Sequence, residues 1–338
     1  MGVLNLRAGE FVEVRSEEEI LRTLDANGML ESLPFMPEMR EFCGRQFRVY
    51  KRAEKACDTI DWKTLRCMQN AVHLDDLRCD GAAHGGCQAG CLIYWKEAWL
   101  KRVDDASEGP APVTAPNGGA TPETLTRATR AGVTETGEEL FSCQATELRR
   151  ATTGDVPFWD PRQYVRDVRS GNASVSSVVR GLLVGFFNKF QQANARLFPR
   201  VCLIRGCKKY PFVEGTVRGE TPKSLLDLQP GEIVEVKSKE EIFETLDDRD
   251  RNRGLRYDSE MLKYSGRRGR VLRRVEHIID EKTGKMLHIK GDCIILDGVI
   301  CTGDYHRSCP RSIYPYWREI WLKRVDQPSE ADRPTASA

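Results

Sequence analysis

Cysteine and histidine side chains cluster in one stretch of the chain with the spacing of a metal site. Cys79, His84, Cys87 and Cys91 form the pattern C-x4-H-x2-C-x3-C. Thiolate and imidazole are ligands that zinc prefers, and three cysteines with one histidine make a tetrahedral site. The glycines between them let a short loop turn around an ion at little steric cost. The pattern predicts a zinc ion held by these four side chains.

The same ligand types recur later in the chain. Cys301, His306 and Cys309 stand 222 residues after the first three ligands, whereas isoleucine replaces the fourth. Cys293 is the candidate for the missing ligand, and its counterpart in the earlier stretch is Ala71. Each stretch therefore has three candidate ligands at equivalent positions and one cysteine that the other stretch lacks. We predict a second zinc ion, held by Cys293, Cys301, His306 and Cys309.

Two metal chemistries fit these residues. Four protein ligands close the coordination shell of zinc, so two such ions would stabilise folded loops and would not activate water. An iron–sulfur cluster is the alternative, because Cys79-Asp80-Gly81 followed by His84 is similar to the signature of the CDGSH family. The histidine is one residue too distant in this chain, and the second stretch has threonine after its first cysteine. Zinc is therefore favoured.

Four further cysteines are weaker candidates for chemistry. Cys57 and Cys67 could form a redox pair, and Cys202 and Cys207 could form a partial metal site or a reactive thiol beside two lysines. Buried, unreactive thiols are the simpler interpretation of all four. No catalytic residue is predicted from them.

The metal motifs belong to a tandem duplication. Residues 6–104 and 228–326 align without a gap, and 40 of the 99 aligned positions are identical. The segment between the copies is rich in Pro, Gly, Ala and Thr at first and then turns amphipathic. We predict a first metal-binding repeat at 1–104, a flexible linker at 105–137, a central helical segment at 138–227, a second repeat at 228–326 and a disordered tail at 327–338.

Each repeat reads as several short strands with one helix. EFVEV and EIVEV alternate as half-buried strands. Ser16 with Glu19, and Ser238 with Glu241, have the spacing of capping boxes at the start of the helix that follows. These patterns predict a mostly β, α+β chain with two small SH3-like barrels, each carrying a metal-binding insertion before its last strand.

The central segment contains one amphipathic helix, predicted over about 174–198. A second, shorter helix should begin at Asp160-Pro161, where aspartate caps and proline occupies the first turn. We favour packing of the longer helix against the barrels over docking to a membrane surface or a partner groove. Its apolar stripe comprises Val175, Val178, Val179, Leu182, Leu183, Phe186, Phe187 and Phe190.

Composition places the chain among globular proteins without a global electrostatic field. Charged residues make up 30% and the formal net charge is +2, which argues against nucleic acid as a partner despite the basic stretch 265–274. No signal peptide and no bilayer-spanning segment are read from the sequence. We expect a cytoplasmic protein, peripheral to the inner membrane if the amphipathic helix binds lipid.

Several passages resemble a widespread family of bacterial proteins. They are LPFMPEM at 33–39, CDGAAHGGCQAGCLIYWKEAWLKRV at 79–103, GCKKYPFVEG at 206–215 and YPYWREIWLKRV at 314–325. The resemblance covers nearly the full chain apart from the linker. It implies a bacterial cytosolic origin, and it brings no activity and no catalytic residues.

Three functions are compatible with the sequence. The leading hypothesis is a zinc-stabilised tandem-repeat binding or scaffold protein that acts with a partner protein in a bacterial biosynthetic pathway. The alternative is a metal-dependent tailoring enzyme, using zinc or iron, or an iron–sulfur redox protein. A nucleic-acid-binding small barrel is third, and no small-molecule substrate is identifiable.

Overall fold

A computed structural model describes residues 4–61, 64–103, 119–198 and 204–325, which divide into two compact units. Unit 1 comprises Met1–Phe186, His277–His288 and Thr302–Ile313, and unit 2 comprises Phe187–Glu276, Ile289–Cys301 and Tyr314–Ala338. The units therefore do not coincide with the two repeats. Two segments of the second repeat belong to the same unit as the whole first repeat.

Six α-helices are present in the described part of the chain, and local sequence signals explain where several of them begin. The Ser16 and Ser238 hydroxyls each accept the amide of the glutamate three residues later, so both capping boxes are confirmed. Asp160 caps the fourth helix, as predicted. The helices are α1 (Glu17–Leu21), α2 (Pro122–Ala128), α3 (Leu148–Ala151), α4 (Pro161–Arg169), α5 (Val175–Leu197) and α6 (Lys239–Phe243).

The first repeat is built on a five-stranded antiparallel sheet. Its strand order is β8-β7-β4-β1-β9. The antiparallel pairing of β1 with β4 places Val12 opposite Phe47. The strands of this repeat are β1 (Phe11–Val14), β2 (Met29–Leu30), β3 (Leu33–Pro34), β4 (Gln46–Arg52), β5 (Lys55–Cys57), β6 (Leu65–Cys67), β7 (Ala71–Leu74), β8 (Trp95–Lys96) and β9 (Leu100–Arg102).

Three strands and most of the helices lie between the repeats. The strands are β10 (Arg130–Val133), β11 (Glu139–Phe141) and β12 (Thr153–Asp155), and β12 extends the β5-β6 hairpin. Residues 105–118 of the predicted linker lie outside the described residues, as does the predicted tail at 327–338. The remaining linker positions from 119 onward contain α2 and β10, because Thr121 caps a helix with proline in its first turn.

The second repeat has a sheet of the same strand order, β20-β19-β16-β13-β21. The Trp99 indole donates to the Thr23 hydroxyl at 3.1 Å, and Trp321 donates to Thr245 at 2.9 Å. The strands are β13 (Ile233–Val236), β14 (Arg251–Asn252), β15 (Leu255–Arg256), β16 (Arg268–Arg274), β17 (His277–Ile279), β18 (Met286–His288), β19 (Cys293–Leu296), β20 (Trp317–Arg318) and β21 (Leu322–Arg324).

The described chain is mixed α/β with many small sheets, and it forms no closed barrel. The predicted SH3-like barrels are therefore not confirmed. The last two strands of each five-stranded sheet are two and three residues long and are separated only by a 3-10 turn, Glu97–Trp99 or Glu319–Trp321. These two short strands lie at opposite edges of their sheet and do not pair with each other, as closure of a barrel would require.

Helix α5 matches its predicted bounds within one residue, but its apolar stripe is not covered as expected. Leu183 is 66% exposed and Phe186 is 50% exposed. Two of its buried side chains are polar instead, and Gln191 donates to the carbonyl oxygens of Ile204 and Lys208 in unit 2. No helix among the described residues is both long enough and apolar enough to cross a bilayer.

Candidate metal centre

Three potential ligands from two segments of unit 1 converge. Glu38 lies on the 3-10 helix Pro37–Phe42, whereas Cys79 and His84 lie on the loop that follows β7. One ligand atom from each of the three side chains lies within 4.8 Å of the others. The structure thus adds a carboxylate that the cysteine and histidine spacing did not predict.

The three side chains are in close contact. The Cys79 Sγ lies 3.3 Å from His84 Nε2 and 3.2 Å from Glu38 Oε1. The His84 Nδ1 lies 3.7 Å from the same carboxylate oxygen, which is too long for a hydrogen bond. His84 is 1% exposed and the Glu38 side chain 7%. The group is therefore shielded from solvent.

A tight turn holds this loop together. The Gly81 carbonyl accepts the amides of His84 at 3.1 Å and Gly86 at 2.9 Å. Gly81 has a φ of +77°, and a Cβ there would lie 2.0 Å from the Cys87 carbonyl oxygen. Any larger residue at Gly81 would force the loop apart. The glycine thus allows the Cys87 backbone to approach this turn closely.

Burial shifts the pKa values of all three side chains. It lowers the pKa of His84 to about 4, so the imidazole is neutral and able to bind a metal. Burial, and then the Glu38 and Cys91 charges, raise the pKa of the Cys79 thiol. Burial also raises the pKa of Glu38. A divalent cation would reverse the last two shifts by neutralising both anions.

The buried polar atoms of the group fit a metal ion. Within the described structure, Glu38 Oε2 and His84 Nδ1 have no hydrogen-bond partner. An unsatisfied buried polar atom costs about 1–3 kcal/mol, so two in one group need a compensating interaction. Carboxylate, thiolate and imidazole are all ligands of zinc.

The remaining predicted ligands of the first site are placed differently. The Cys91 carbonyl accepts the Cys79 amide at 2.9 Å, which keeps the two residues side by side. The Cys87 Sγ instead accepts the Ile279 amide at 3.4 Å and packs with Phe141. Neither thiol is within the group of three ligand atoms.

The second repeat contains the same three ligand types. They are Glu260, Cys301 and His306, which stand 222 residues after Glu38, Cys79 and His84, respectively. The ligand types of the candidate group are therefore kept in both repeats.

The other two predicted ligands of the second repeat lie in different units. Cys293 is buried on β19, where its Sγ accepts a hydrogen bond from Arg318 at 3.4 Å. The Cys309 Sγ lies in unit 1 and accepts the Cys57 amide at 3.2 Å. The 222-residue spacing between the repeats preserves the residue type of these predicted ligands. It does not determine the direction in which each thiol points.

Glu38 is a candidate ligand that the cysteine and histidine spacing did not indicate. It lies 41 residues before Cys79, outside the cysteine-rich stretch. One signal was available, because Glu38 and Glu260 are identical at the 222-residue offset although most of the residues around them differ. Of the weaker cysteine candidates, Cys202 lies outside the described residues.

Glu97 and Glu319 stand at equivalent positions of the two repeats and make buried ion pairs. The Glu97 carboxylate accepts the Leu6 amide at 3.0 Å and pairs with Arg52 at 2.9 Å. In unit 2, Glu319 pairs with Arg274 at 2.7 Å in the same way. The amide contact ties Glu97 to the start of the first repeat, and the two arginine pairs tie Glu97 and Glu319 to strands β4 and β16.

Comparison of the chain with protein-family models, curated proteins and solved structures gave no match.

Proposed function

We propose that the protein is a zinc-stabilised binding protein in which the metal ions hold the fold and perform no chemistry. The burial of the Glu38, Cys79 and His84 group carries this proposal, since a catalytic zinc needs a position open to substrate. His84 is 1% exposed. The ion would join the 3-10 helix to the loop after β7 within unit 1.

Zinc fits this ligand set better than an iron–sulfur cluster does. Clusters are bound by cysteine thiolates, with histidine in place of cysteine at some positions. The group holds one thiol, one imidazole and one carboxylate. A single borderline-soft ion accepts all three ligand types, and zinc is the common case.

We assign the fourth position of the first site to Cys91. Its thiol is near enough to Cys79 to raise that pKa, and its backbone accepts the Cys79 amide. The second site has isoleucine at the equivalent position. Cys293 is the proposed replacement there, and its exchange for serine tests this assignment.

The binding role is proposed from the exposed face of α5. In unit 1 this face presents Val175, Val179, Leu183 and Phe186, each about half exposed or more. Their spacing forms one stripe, which a partner protein would cover. The sheet order, with the first strand between the second and fifth, supports an SH3-like scaffold for both repeats, and the many reduced cysteines support a cytoplasmic location.

Elemental analysis of the purified full chain tests the metal assignment. We expect two zinc ions per chain in the wild type and one in Glu38→Gln, because the neutral amide removes one ligand from the first site. We expect the same loss in Cys91→Ser and, at the second site, in Cys293→Ser. Thermal melting with and without a chelator measures the accompanying loss of stability.

Glu41→Gln is the matched control, since Glu41 lies on the same 3-10 helix and is exposed. It should keep both ions. A wild-type protein without bound metal would refute the proposal, and visible absorption from iron would favour the cluster alternative. Full metal content in Glu38→Gln would exclude the carboxylate as a ligand.

A further inference from the structure

A pair of cysteines from different repeats meets inside unit 1, away from the metal group. Cys57 ends strand β5 of the first repeat, and Cys309 lies in the 302–313 segment of the second. Besides accepting the Cys57 amide, the Cys309 Sγ accepts a hydrogen bond from the Cys57 thiol. The two sulfur atoms are therefore neighbours, although 252 residues separate them in sequence.

Buried charges hold this pair in place. The Arg311 guanidinium donates to the Cys57 carbonyl oxygen at 2.9 Å and to Glu281 at 3.0 Å. Lys55 donates to the Arg307 carbonyl oxygen at 2.7 Å, which fastens the 302–313 segment to β5. Cys57 and the segment that carries Cys309 are thus held by Arg311 and Lys55, which are themselves almost fully buried.

The two thiols differ in accessibility. Cys309 is 2% exposed, whereas Cys57 is half-buried. A reagent in solution would therefore reach Cys57 first, with the Cys309 Sγ directly behind it.

We propose that Cys57 and Cys309 form a dithiol that exchanges electrons with small disulfides, such as oxidised glutathione. Cys57 Sγ attacks one sulfur of the glutathione disulfide, and its proton leaves with the first glutathione released. Cys309 Sγ then attacks Cys57 Sγ, breaks the mixed disulfide and releases the second glutathione, which takes up the remaining thiol proton. Two electrons pass from the pair to the small disulfide, and one disulfide forms within unit 1.

The pair differs from the alternatives raised by the sequence. Cys67 lies opposite Lys55 on β6 and not opposite Cys57, so it is not the redox partner of Cys57 in this sheet. Cys309 is outside the Cys/His/Glu groups, so its oxidation need not remove a metal ligand. The dithiol is thus a site separate from the proposed zinc.

Peptide mapping of the zinc-loaded full chain after incubation with oxidised glutathione tests the proposal. In the wild type we expect a disulfide-linked peptide pair containing Cys57 and Cys309, with little glutathione retained on Cys57. In Cys309→Ser we expect glutathione to accumulate on Cys57. In Cys57→Ser we expect Cys309 to remain unmodified because it is buried.

Cys67→Ser is the control and should give the same linked peptides as the wild type. Glutathione that stays on Cys57 in the wild type would overturn the proposal, as would linkage of Cys57 to several other cysteines with equal yield. Zinc content separates the two sites: loss of one ion in Cys309→Ser would make Cys309 a metal ligand and would also overturn the dithiol. An absence of zinc from every variant would refute the metal proposal alone.

Discussion

His73 is a buried histidine with no place in the metal group. It lies on β7 with no exposed surface, and its Nδ1 lies 2.8 Å from the Ile93 carbonyl oxygen. Burial lowers its pKa to about 3. The unfolded chain, with a histidine pKa of about 6.5, takes up a proton as the pH falls below that value, whereas the folded chain does not. Stability contributed by neutral His73 is therefore present above pH 6.5 and is lost towards pH 3.

We expect His73→Ile to remove part of this acid sensitivity. Isoleucine occupies the equivalent position, 295, of the second repeat. Linkage gives about 3 kcal/mol lost by the wild type between pH 7 and pH 4 through this one group. Urea denaturation at several pH values measures the difference in slope between wild type and variant.

His288→Asn is the control, because His288 is exposed on β18. The stability of His288→Asn should fall as the pH is lowered, to the same extent as that of the wild type. Parallel pH profiles for wild type and His73→Ile would show that His73 does not carry the linkage.

Residue types were predictable from the sequence, but their partners were not. The spacing of Cys79 and His84 identified two members of the group. Glu38 could not be found by spacing, since it reaches the site from a separate 3-10 helix. Cys309 was predicted to be a metal ligand because it lies 222 residues after Cys87. In the structure its Sγ accepts the Cys57 amide instead.

Among the secondary structure elements, α1 and α6 begin at equivalent capping boxes in different units. The Ser16 amide donates to Glu19 Oε2 at 3.0 Å, and the Ser238 amide donates to Glu241 Oε2 at 2.9 Å. Removing a serine cap costs about 1 kcal/mol. We expect Ser16→Ala and Ser238→Ala each to lower stability by that amount, and Ser→Asp at either cap to restore most of it, in urea denaturation. Equal stability of alanine and serine at both caps would contradict this.

The exposed face of α5 makes a separate prediction. A charge within the stripe should prevent a partner protein from covering it, so Leu183→Glu should abolish capture of that partner by cross-linking in the producing cell. Ser176→Glu, an exposed polar position on the same helix, should leave capture unchanged. Flotation of the wild type with liposomes would assign the face to a lipid surface instead.

Local signals account for most of the elements that were predicted correctly. Caps, a proline in the first turn and alternating apolar residues located α1, α4, α6 and the strands β1 and β13. Barrel closure could not be derived in this way, because it depends on pairing between edge strands. The stripe of α5 was read correctly as amphipathic, but amphipathicity does not state what covers it.

For the whole molecule, the division into units departs from the division into repeats. Hairpin β17-β18 and the 302–313 segment contribute to unit 1, where Ile279 packs with Cys87 and Phe141. The Phe141 amide also donates to the Gly284 carbonyl oxygen at 2.8 Å. The duplication alone predicted a domain boundary near residue 227. A chain that ended there would lack the two later segments that belong to unit 1.

We therefore expect a fragment of residues 1–227 to be less stable than unit 1 in the full chain. The loss of Ile279 alone from a buried cluster is worth about 2–4 kcal/mol, since it leaves a cavity beside Phe141. Thermal melting and dye binding to exposed apolar surface compare the fragment with the full chain. A fragment that melts at the same temperature as unit 1 would contradict the division.

This composition of unit 1 also sets an order of events during synthesis. The first repeat leaves the ribosome early, but the segments that complete its unit end at Ile313. At about 10 residues per second, the chain from Phe186 to Ile313 takes roughly 13 s to emerge. During that interval nascent unit 1 lacks the cover that β17-β18 later provides, so its folding would be governed by translation speed and by chaperones that shield Phe141 and Cys87.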